Sequence, residues 1–323
     1  MKETIVWAID PYENGMKPEA SIIRKLTSWL NTGEVQIQPV YLLADPDSVH
    51  AISKAEATAE EYLLELGVME NLPVKVIAVE RSTRKEEVEA LLTFAKRLES
   101  TAILVSSHGR SGTERFFLGS FAENLLRESK CPVLFLNQLN LWKEKKEIPR
   151  RTLFATDFSD QSHEAFLQFL TQAKRFNFDI VIFNAVSLPS VVLLSSYGTP
   201  VMIPDDYFLT QTQAAKEEAT KWIQQADEQG VYATFVVEDG GIGPEIPSMI
   251  LRVAEQQGAE MIVMASTSGP LSSFVLGSVA REVFRCHHYP VWVYGPNAIE
   301  RKSSTPDQTK SHLSSQGERS ETK

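Results

Sequence analysis

The feature that most constrains the fold is an internal repeat. Residues Ser106 to Ser120, SSHGRSGTERFFLGS, return 158 positions later as Met264 to Ser278, MASTSGPLSSFVLGS. Over 103–136 and 261–294, this offset gives nine identities in 34 ungapped positions, where average residue usage predicts roughly two. The chain is therefore a tandem of two related domains.

Each copy places one apolar run before this loop and another after a helical stretch and a proline. The first runs are Ala102–Val105 and Met261–Met264, and the second are Val133–Leu136 and Val291–Tyr294. Continuous apolar runs bounded by turn residues are typical of strands buried on both faces of a parallel sheet. The loop then lies at the carboxyl end of a strand, where open α/β sheets bind ligands.

The rest of the chain predicts further strands and helices in the same alternating order. The predicted strands are Thr4–Ile9, Val35–Leu43, Val74–Val79, Arg151–Thr156, Asp179–Val186 and Tyr232–Val237, and the predicted helices of the first copy are 18–30, 51–66 and 85–98. The polar, lysine-rich stretch 137–150 contains the linker. We predict domain 1 over 1–140, a linker over 141–150, domain 2 over 151–296 and a disordered tail over 297–323.

The loop of the first copy resembles the nucleotide loop of the universal stress protein family, Gly-x-x-Gly, nine residues and Gly-(Ser/Thr) after the fourth strand. Ser106, Gly109, Gly119 and Ser120 keep this spacing, with serine in place of the first glycine. Glycine permits close backbone approach, and the amides of a helix that begins after Gly119 favour an anion. Arg110 adds a cation for phosphate. The resemblance thus implies an adenine-nucleotide site in domain 1.

The second copy keeps less of the family pattern. Its equivalent positions are Met264, Thr267, Gly277 and Ser278, so two glycines are missing. Glycine content and charge therefore favour domain 1 as the nucleotide site, with Gly277 and Ser278 as the remaining candidates in domain 2.

Strand ends supply the other candidate residues. The sequence FATDFSD resembles the family's opening strand and turn, which implies that Asp157, and its counterpart Asp10, lie near adenine and ribose. Asp157 also suits the start of a helix, and capping is compatible with ligand contact. Val40 and Val186 fall where the family's second strand presents backbone groups to adenine, although any buried strand also favours valine.

The resemblance implies two tandem flavodoxin-like, or Rossmann-like, α/β domains of the adenine nucleotide alpha hydrolase type, each with a five-stranded parallel sheet. It also implies that the domains pair through their final strands as an intramolecular pseudo-dimer, and further homodimerisation stays open. The long stretch 187–206 is partly apolar, and it either covers the site of domain 2 or packs against the other domain; its exposed apolar residues favour packing.

The amino-acid composition and net charge restrict the kinds of molecule that the protein is expected to bind. The formal net charge is −10 and the pI is near 5.2, whereas nucleic-acid binding needs a basic stripe. The sequence contains neither an apolar run of membrane-spanning length nor a signal-peptide layout. We therefore expect a cytoplasmic protein without nucleic-acid or membrane partners. Its two cysteines predict reduced thiols, and the adjacent His287 and His288 suit a metal poorly.

Three hypotheses of function remain for a stress-response protein of this kind. The first is a non-catalytic module that binds or senses ATP or AMP, with Mg²⁺ accompanying the nucleotide and domain 1 as the favoured site. The second is a ligand-free scaffold for an unknown protein partner. The third, a weak ATPase or autophosphorylating protein, has least support because no positioned water or acceptor hydroxyl is evident.

Overall fold

A computed structural model describes residues 3–12, 35–65, 67, 73–80, 83–106, 120–136, 151–186, 206–239, 245–266, 277–285 and 289–299 of the chain. Domain 1 contains β1 (Glu3–Ile9), β2 (Val35–Ala44), α1 (Val49–Glu65), β3 (Lys75–Val79), α2 (Arg84–Arg97), β4 (Ala102–Ser106), α3 (Ser120–Glu128) and β5 (Val133–Leu136). The helix predicted at 18–30 lies outside the described residues, as does the stretch 187–205.

Domain 2 follows the same alternation of strands and helices. It contains β6 (Arg151–Ala155), α4 (Asp160–Phe176), β7 (Asp179–Val186), α5 (Tyr207–Glu228), β8 (Ala233–Asp239), α6 (Ile246–Gln256), β9 (Met261–Ala265), α7 (Ser278–Arg285), β10 (Val291–Tyr294) and α8 (Pro296–Ile299).

The ten described strands form one sheet in the order β3-β2-β1-β4-β5-β10-β9-β6-β7-β8. Within each domain every neighbouring pair is parallel. Each half therefore has the strand order 3-2-1-4-5 of a Rossmann-like domain, which confirms the predicted fold class. Strand order reverses between β1 and β4 and between β6 and β9, and such switch points are where open α/β sheets bind ligands.

The two domains meet through their last strands, as the resemblance implied. Strands β5 and β10 are antiparallel, with Leu134 opposite Trp292. One hydrophobic cluster contains Trp7 and Leu134 of domain 1 together with Trp292 and Tyr294 of domain 2. Burial of each large side chain contributes about 1.5–3 kcal/mol, so the joint is a continuous core rather than a surface contact.

Sheet register corrects one detail of the repeat. Ile103 donates its N–H to the carbonyl of Pro132, and Ile262 donates to that of Pro290, both at 3.0 Å. Pro132 and Pro290 keep the offset of 158, but Ile103 and Ile262 are 159 positions apart. The loop after β9 is therefore one residue shorter than the loop after β4, and Ser106 corresponds in register to Ala265 rather than to Met264.

The ordered chain extends beyond the predicted end of domain 2. The sequence predicted disorder from Asn297, but residues 296–299 form α8, in which Ala298 and Ile299 are buried. Gln168 of α4 donates to the carbonyls of both residues at 3.2 and 3.3 Å. These contacts hold the end of domain 2 in place; 300–323 lie outside the described residues.

An ion pair crosses the joint at positions that the repeat makes equivalent. Glu123 in α3 and Arg281 in α7 are 158 positions apart, and their side chains lie 3.5 Å from each other. The same position in two related domains thus carries opposite charges that meet across the pseudo-twofold axis. Two identical domains would bring like charges together here, so this pair favours contact between domain 1 and domain 2.

Charge reversal tests this contact. We expect Arg281→Glu to lower the free energy of unfolding by about 0.5–1 kcal/mol, since it replaces an exposed attraction with a repulsion screened by salt. Adding Glu123→Arg is expected to restore most of the loss. Urea denaturation of wild type, both single variants and the double variant gives the coupling energy; additive losses would contradict the interpretation.

Candidate functional site

A cavity of about 490 Å³ lies at the switch point of domain 2. It opens where β6, β7 and β9 end and α7 begins. The lining residues that the structure describes are Ala155, Thr156, Asp157, Ser162, Phe183, Asn184, Ala185, Ile246, Ile250, Met264, Ala265, Ser266, Gly277, Ser278, Val279 and Ala280. Its volume is within the range of small-molecule sites in proteins.

Hydrogen bonds and aromatic packing fix the conformation of the turn after β6. The N–H of Thr156 donates to the carbonyl of Phe183, and its hydroxyl accepts from the N–H of Phe158 at 2.8 Å. Phe158 has a φ of 57°, a conformation that is uncommon for a bulky residue. Its ring meets Trp222 edge-on at 5.1 Å, and Trp222 is fully buried. Packing on Trp222 therefore fixes the turn that presents Asp157.

Asp157 uses one carboxylate oxygen internally. Its Oδ1 accepts from the N–H of Ser159 at 3.0 Å, from the Ser159 hydroxyl at 2.6 Å and from the Ser162 hydroxyl at 2.7 Å. Among the described residues, no hydrogen bond reaches Oδ2. Burial raises the pKa of Asp157, but the hydrogen bonds from Ser159 and Ser162 outweigh it and leave the pKa below its ordinary value. The exposed, ionised Oδ2 is thus an acceptor at the mouth of the cavity.

The opposite side of the cavity is the beginning of α7. The N–H of Gly277 donates to the carbonyl of Ser266 at 2.8 Å, which joins the two ends of the loop 267–276. Ser278 begins the helix, and free amides at a helix start favour an anion. A β-carbon at Gly277 would lie 3.5 Å from the Ser266 carbonyl oxygen, so local packing alone does not require this glycine.

Ser266 contributes a buried hydroxyl. It is 1% exposed, and its Oγ has no hydrogen-bond partner among the described residues. A buried polar atom without a partner costs about 1–3 kcal/mol. Ser266 also lines the cavity, so its partner is either a bound ligand or a group outside the described residues.

The remaining walls are mostly apolar. Phe183, Ile250 and Met264 are buried members of the core beneath the cavity, and Ile246 packs against the same core. Asn184 donates from Nδ2 to the carbonyl of Thr156 at 2.9 Å, which ties β7 to the turn. The lining thus combines an apolar wall with one carboxylate acceptor and one helix start that favours an anion.

The structure brings some predicted residues of domain 2 together and places others apart. Asp157, Gly277 and Ser278 all line the cavity. Val186 is buried but is not among the lining residues that the structure describes. Register explains why: Ala8 pairs with Val40 as Ala155 pairs with Phe183, so Phe183, not Val186, is the counterpart of Val40.

The predicted site of domain 1 is described only in part. Asp10 directly follows β1 and accepts from the N–H of Tyr12 at 3.1 Å, while Val40 is fully buried in β2. Ser106 ends β4 and Ser120 is the exposed first residue of α3. Gly109, Arg110 and Gly119 lie outside the described residues, so their assignment stays a prediction.

Sequence reasoning missed four polar residues of the cavity, namely Thr156, Ser162, Asn184 and Ser266. Asn184 had a readable signal, since it interrupts the apolar strand DIVIFNAV. Ser162 had a weaker one, three residues after the cap residue Ser159. Ser266 had none, because its position follows from the pairing of β9 with β10, where its N–H donates to the carbonyl of Tyr294.

A family model described as Universal stress protein family matches residues 35–137 and 149–295. The chain belongs to this family. A universal stress protein of Methanocaldococcus jannaschii is 29% identical over 145 residues, which cover 45% of this chain and 81% of that protein. Along the described part of the chain, no helix is both long and apolar enough to cross a membrane.

Solved structures support the same fold over the whole tandem. A universal stress protein from Archaeoglobus fulgidus DSM 4304 is 18% identical, with a TM-score of 0.57 over 90% of this chain and 97% of that one. A functionally unknown protein from Pseudomonas aeruginosa PAO1 is 17% identical, with a TM-score of 0.54 over 92% and 94%. At this level of identity the likeness concerns the fold alone.

Proposed function

We propose that this universal stress protein is a non-catalytic module that binds an adenine nucleotide in the cavity of domain 2. One observation carries the proposal: the cavity combines the open carboxylate oxygen of Asp157, the start of α7 and an apolar wall. Occupancy would then report nucleotide level in a stress response.

Each part of an adenine nucleotide finds a matching group. The flat base suits the apolar wall that contains Ile250 and Met264. A ribose hydroxyl suits the charged acceptor Oδ2 of Asp157, since hydrogen bonds to charged groups are the strong ones. The phosphate suits the amides of Ser278 and Val279 at the start of α7, where the helix dipole favours negative charge.

Charge favours a nucleotide with few phosphates in domain 2. The described lining of the cavity contains no lysine or arginine, and its one charged group is the carboxylate of Asp157. The sequence of the loop 267–276, TSGPLSSFVL, contains no cation either. A triphosphate would meet little positive charge, so we propose that AMP binds more tightly than ATP at this site.

Any Mg²⁺ would be held mainly by the ligand. In the part of the chain that the structure describes, no group of three or more His, Cys, Asp or Glu side chains could hold a metal ion. Mg²⁺ is commonly bound through one or two carboxylates together with substrate phosphates. We therefore assign Mg²⁺ to the phosphates of bound ATP rather than to a protein site.

Domain 1 remains a second candidate on sequence grounds. Its loop contains Gly109, Gly119 and the cation Arg110, which suit a more highly charged phosphate group than the loop of domain 2 does. We propose that a triphosphate, where it binds at all, prefers domain 1.

Substitution of Gly277 separates binding from folding. We expect Gly277→Val to weaken AMP binding at least about tenfold, which is about 1.4 kcal/mol, because the side chain fills the approach to the helix start. Gly277→Ala, whose single added carbon makes an ordinary contact, is the companion variant that should leave stability little changed. Calorimetric titration and urea denaturation measure the two effects.

The matched control is Gly119→Val, the corresponding change in the loop of domain 1. It is expected to leave AMP affinity at the domain 2 site unchanged. Equal AMP affinity in wild type and Gly277→Val would contradict the assignment of the phosphate to α7.

The proposal as a whole is tested by equilibrium titration of the full chain with AMP, ATP, GMP and ribose 5-phosphate. Saturable binding of AMP, tighter than that of GMP and of ribose 5-phosphate, is expected. No binding of any adenine nucleotide at millimolar concentration would favour the ligand-free scaffold instead. ATP hydrolysis faster than the rate in buffer without protein would support the third hypothesis, a weak ATPase.

A further inference from the structure

A groove of about 580 Å³ runs along the outer edge of domain 1, far along the sheet from the cavity of domain 2. One wall is β3 with Glu80, and the other is the face of α2 that contains Glu86, Glu89, Thr93, Phe94 and Arg97. Among the described strands, β3 is the last on this side of the sheet. The groove therefore borders a strand edge that no other described strand pairs with.

Hydrogen bonding shows which backbone groups of β3 face outward. The N–H of Asp45 donates to the carbonyl of Val79 at 2.9 Å, so Val79 points its backbone groups toward β2. Because successive residues of a strand point them to opposite sides, Val76 and Ala78 direct theirs into the groove. Exposed edges of this kind readily pair with another strand.

The groove is charged with opposite signs at its two ends. Helix α2 runs back along β3, so Glu86 and Glu89 lie near the Glu80 end of the strand, and Arg97 lies near the Lys75 end. Lys75, Glu80, Glu89 and Arg97 are exposed. The guanidinium of Arg97 lies over the ring of Phe94, 5.4 Å from its centre, which holds the positive end in place.

Such a surface is complementary to itself. A twofold axis perpendicular to the sheet would place β3 antiparallel to β3 of a second copy, with the two α2 helices side by side and antiparallel. The positive end of each groove would then face the negative end of the other. Isologous contacts of this kind are the commonest way in which identical chains associate.

We propose that two copies of the chain associate through β3 and α2, joining two ten-stranded sheets edge to edge. The outward N–H and C=O groups of Val76 and Ala78 form the strand pairing, and the charged ends of α2 set its direction. The joint between β5 and β10 inside each chain is left intact.

The test is sedimentation equilibrium of the full chain, with variants that separate backbone pairing from charge. Ala78→Pro removes one outward N–H and leaves the β2 side of the ladder untouched, as proline in edge strands does. It is expected to raise the dimer dissociation constant at least about tenfold. Ala78→Thr, which keeps the N–H, is the matched control and should dimerise like wild type.

Charge reversal keeps the proposal falsifiable if Ala78→Pro folds poorly. The twofold axis repeats each contact, so Arg97→Glu should weaken dimerisation by about tenfold at low salt, and adding Glu89→Arg should restore it. Wild type that stays monomeric at all accessible concentrations would overturn the proposal. So would a wild-type dimer that Ala78→Pro, in a folded form, and Arg97→Glu both leave unchanged.

Discussion

Gly295→Ala is expected to lower the free energy of unfolding by about 2–3 kcal/mol, the usual cost of forcing atoms into packed structure. A β-carbon at Gly295 would lie 2.1 Å from the carbonyl oxygen of Leu126 and 3.2 Å from its carbonyl carbon. These are backbone atoms of α3, so no rotamer change relieves the overlap. Either α3 or the end of β10 must move, although both border the joint between the domains.

The consequences of such a shift would spread to both domains. Gly295 connects β10, paired with β5 across the joint, to α8, whose Ala298 and Ile299 are buried. Urea denaturation measures the loss, and Gly277→Ala is the control, since its β-carbon would make only an ordinary contact at 3.5 Å. Equal stability of the two variants would contradict close approach at Gly295.

Asp157→Ala is expected to weaken AMP binding by about 10- to 100-fold, because a hydrogen bond to a charged group is worth about 1.5–3 kcal/mol. The substitution removes the open acceptor Oδ2 together with the internal acceptor for Ser159 and Ser162. Asp157→Asn separates these roles, since it keeps an internal acceptor and loses the charge. Calorimetric titration gives the affinities, and circular dichroism checks the fold.

Asp10→Ala is the matched variant, since Asp10 holds the corresponding position at the end of β1. We expect it to leave AMP affinity at the domain 2 site within about twofold, which is below 0.5 kcal/mol. The reverse outcome, with binding lost in Asp10→Ala and kept in Asp157→Ala, would move the site to domain 1. That is where the glycine pattern of the sequence alone had placed it.

Much of the fold was predictable because its strands are buried on both faces. Such strands are continuous apolar runs with polar ends, and β5, β7 and β10 have the predicted bounds. Strand β8 is less buried and begins one residue later and ends two residues later than predicted, since its last residues, Glu238 and Asp239, are polar. Pairing with Ala185 and Val186 extends it, and composition alone does not show that pairing.

The candidate site was less predictable, since several of its residues converge only in the folded chain. A loop with more glycines lets its backbone approach an anion more closely, and on this criterion the sequence favoured domain 1. The number of glycines does not show that β7, β9 and α6 form the walls of the cavity, nor that the hydroxyl of Ser266 is buried there. The one-residue difference between the two loops was hidden for the same reason, since only register across the sheet shows it.

The most direct test of the proposed function is a crystal structure of the full chain saturated with AMP. We predict one nucleotide in the cavity of domain 2, with a ribose hydroxyl within hydrogen-bond distance of Asp157 Oδ2 and the phosphate at the amides of Ser278 and Val279. AMP bound only in domain 1, or bound in domain 2 without contact to Asp157, would contradict the account.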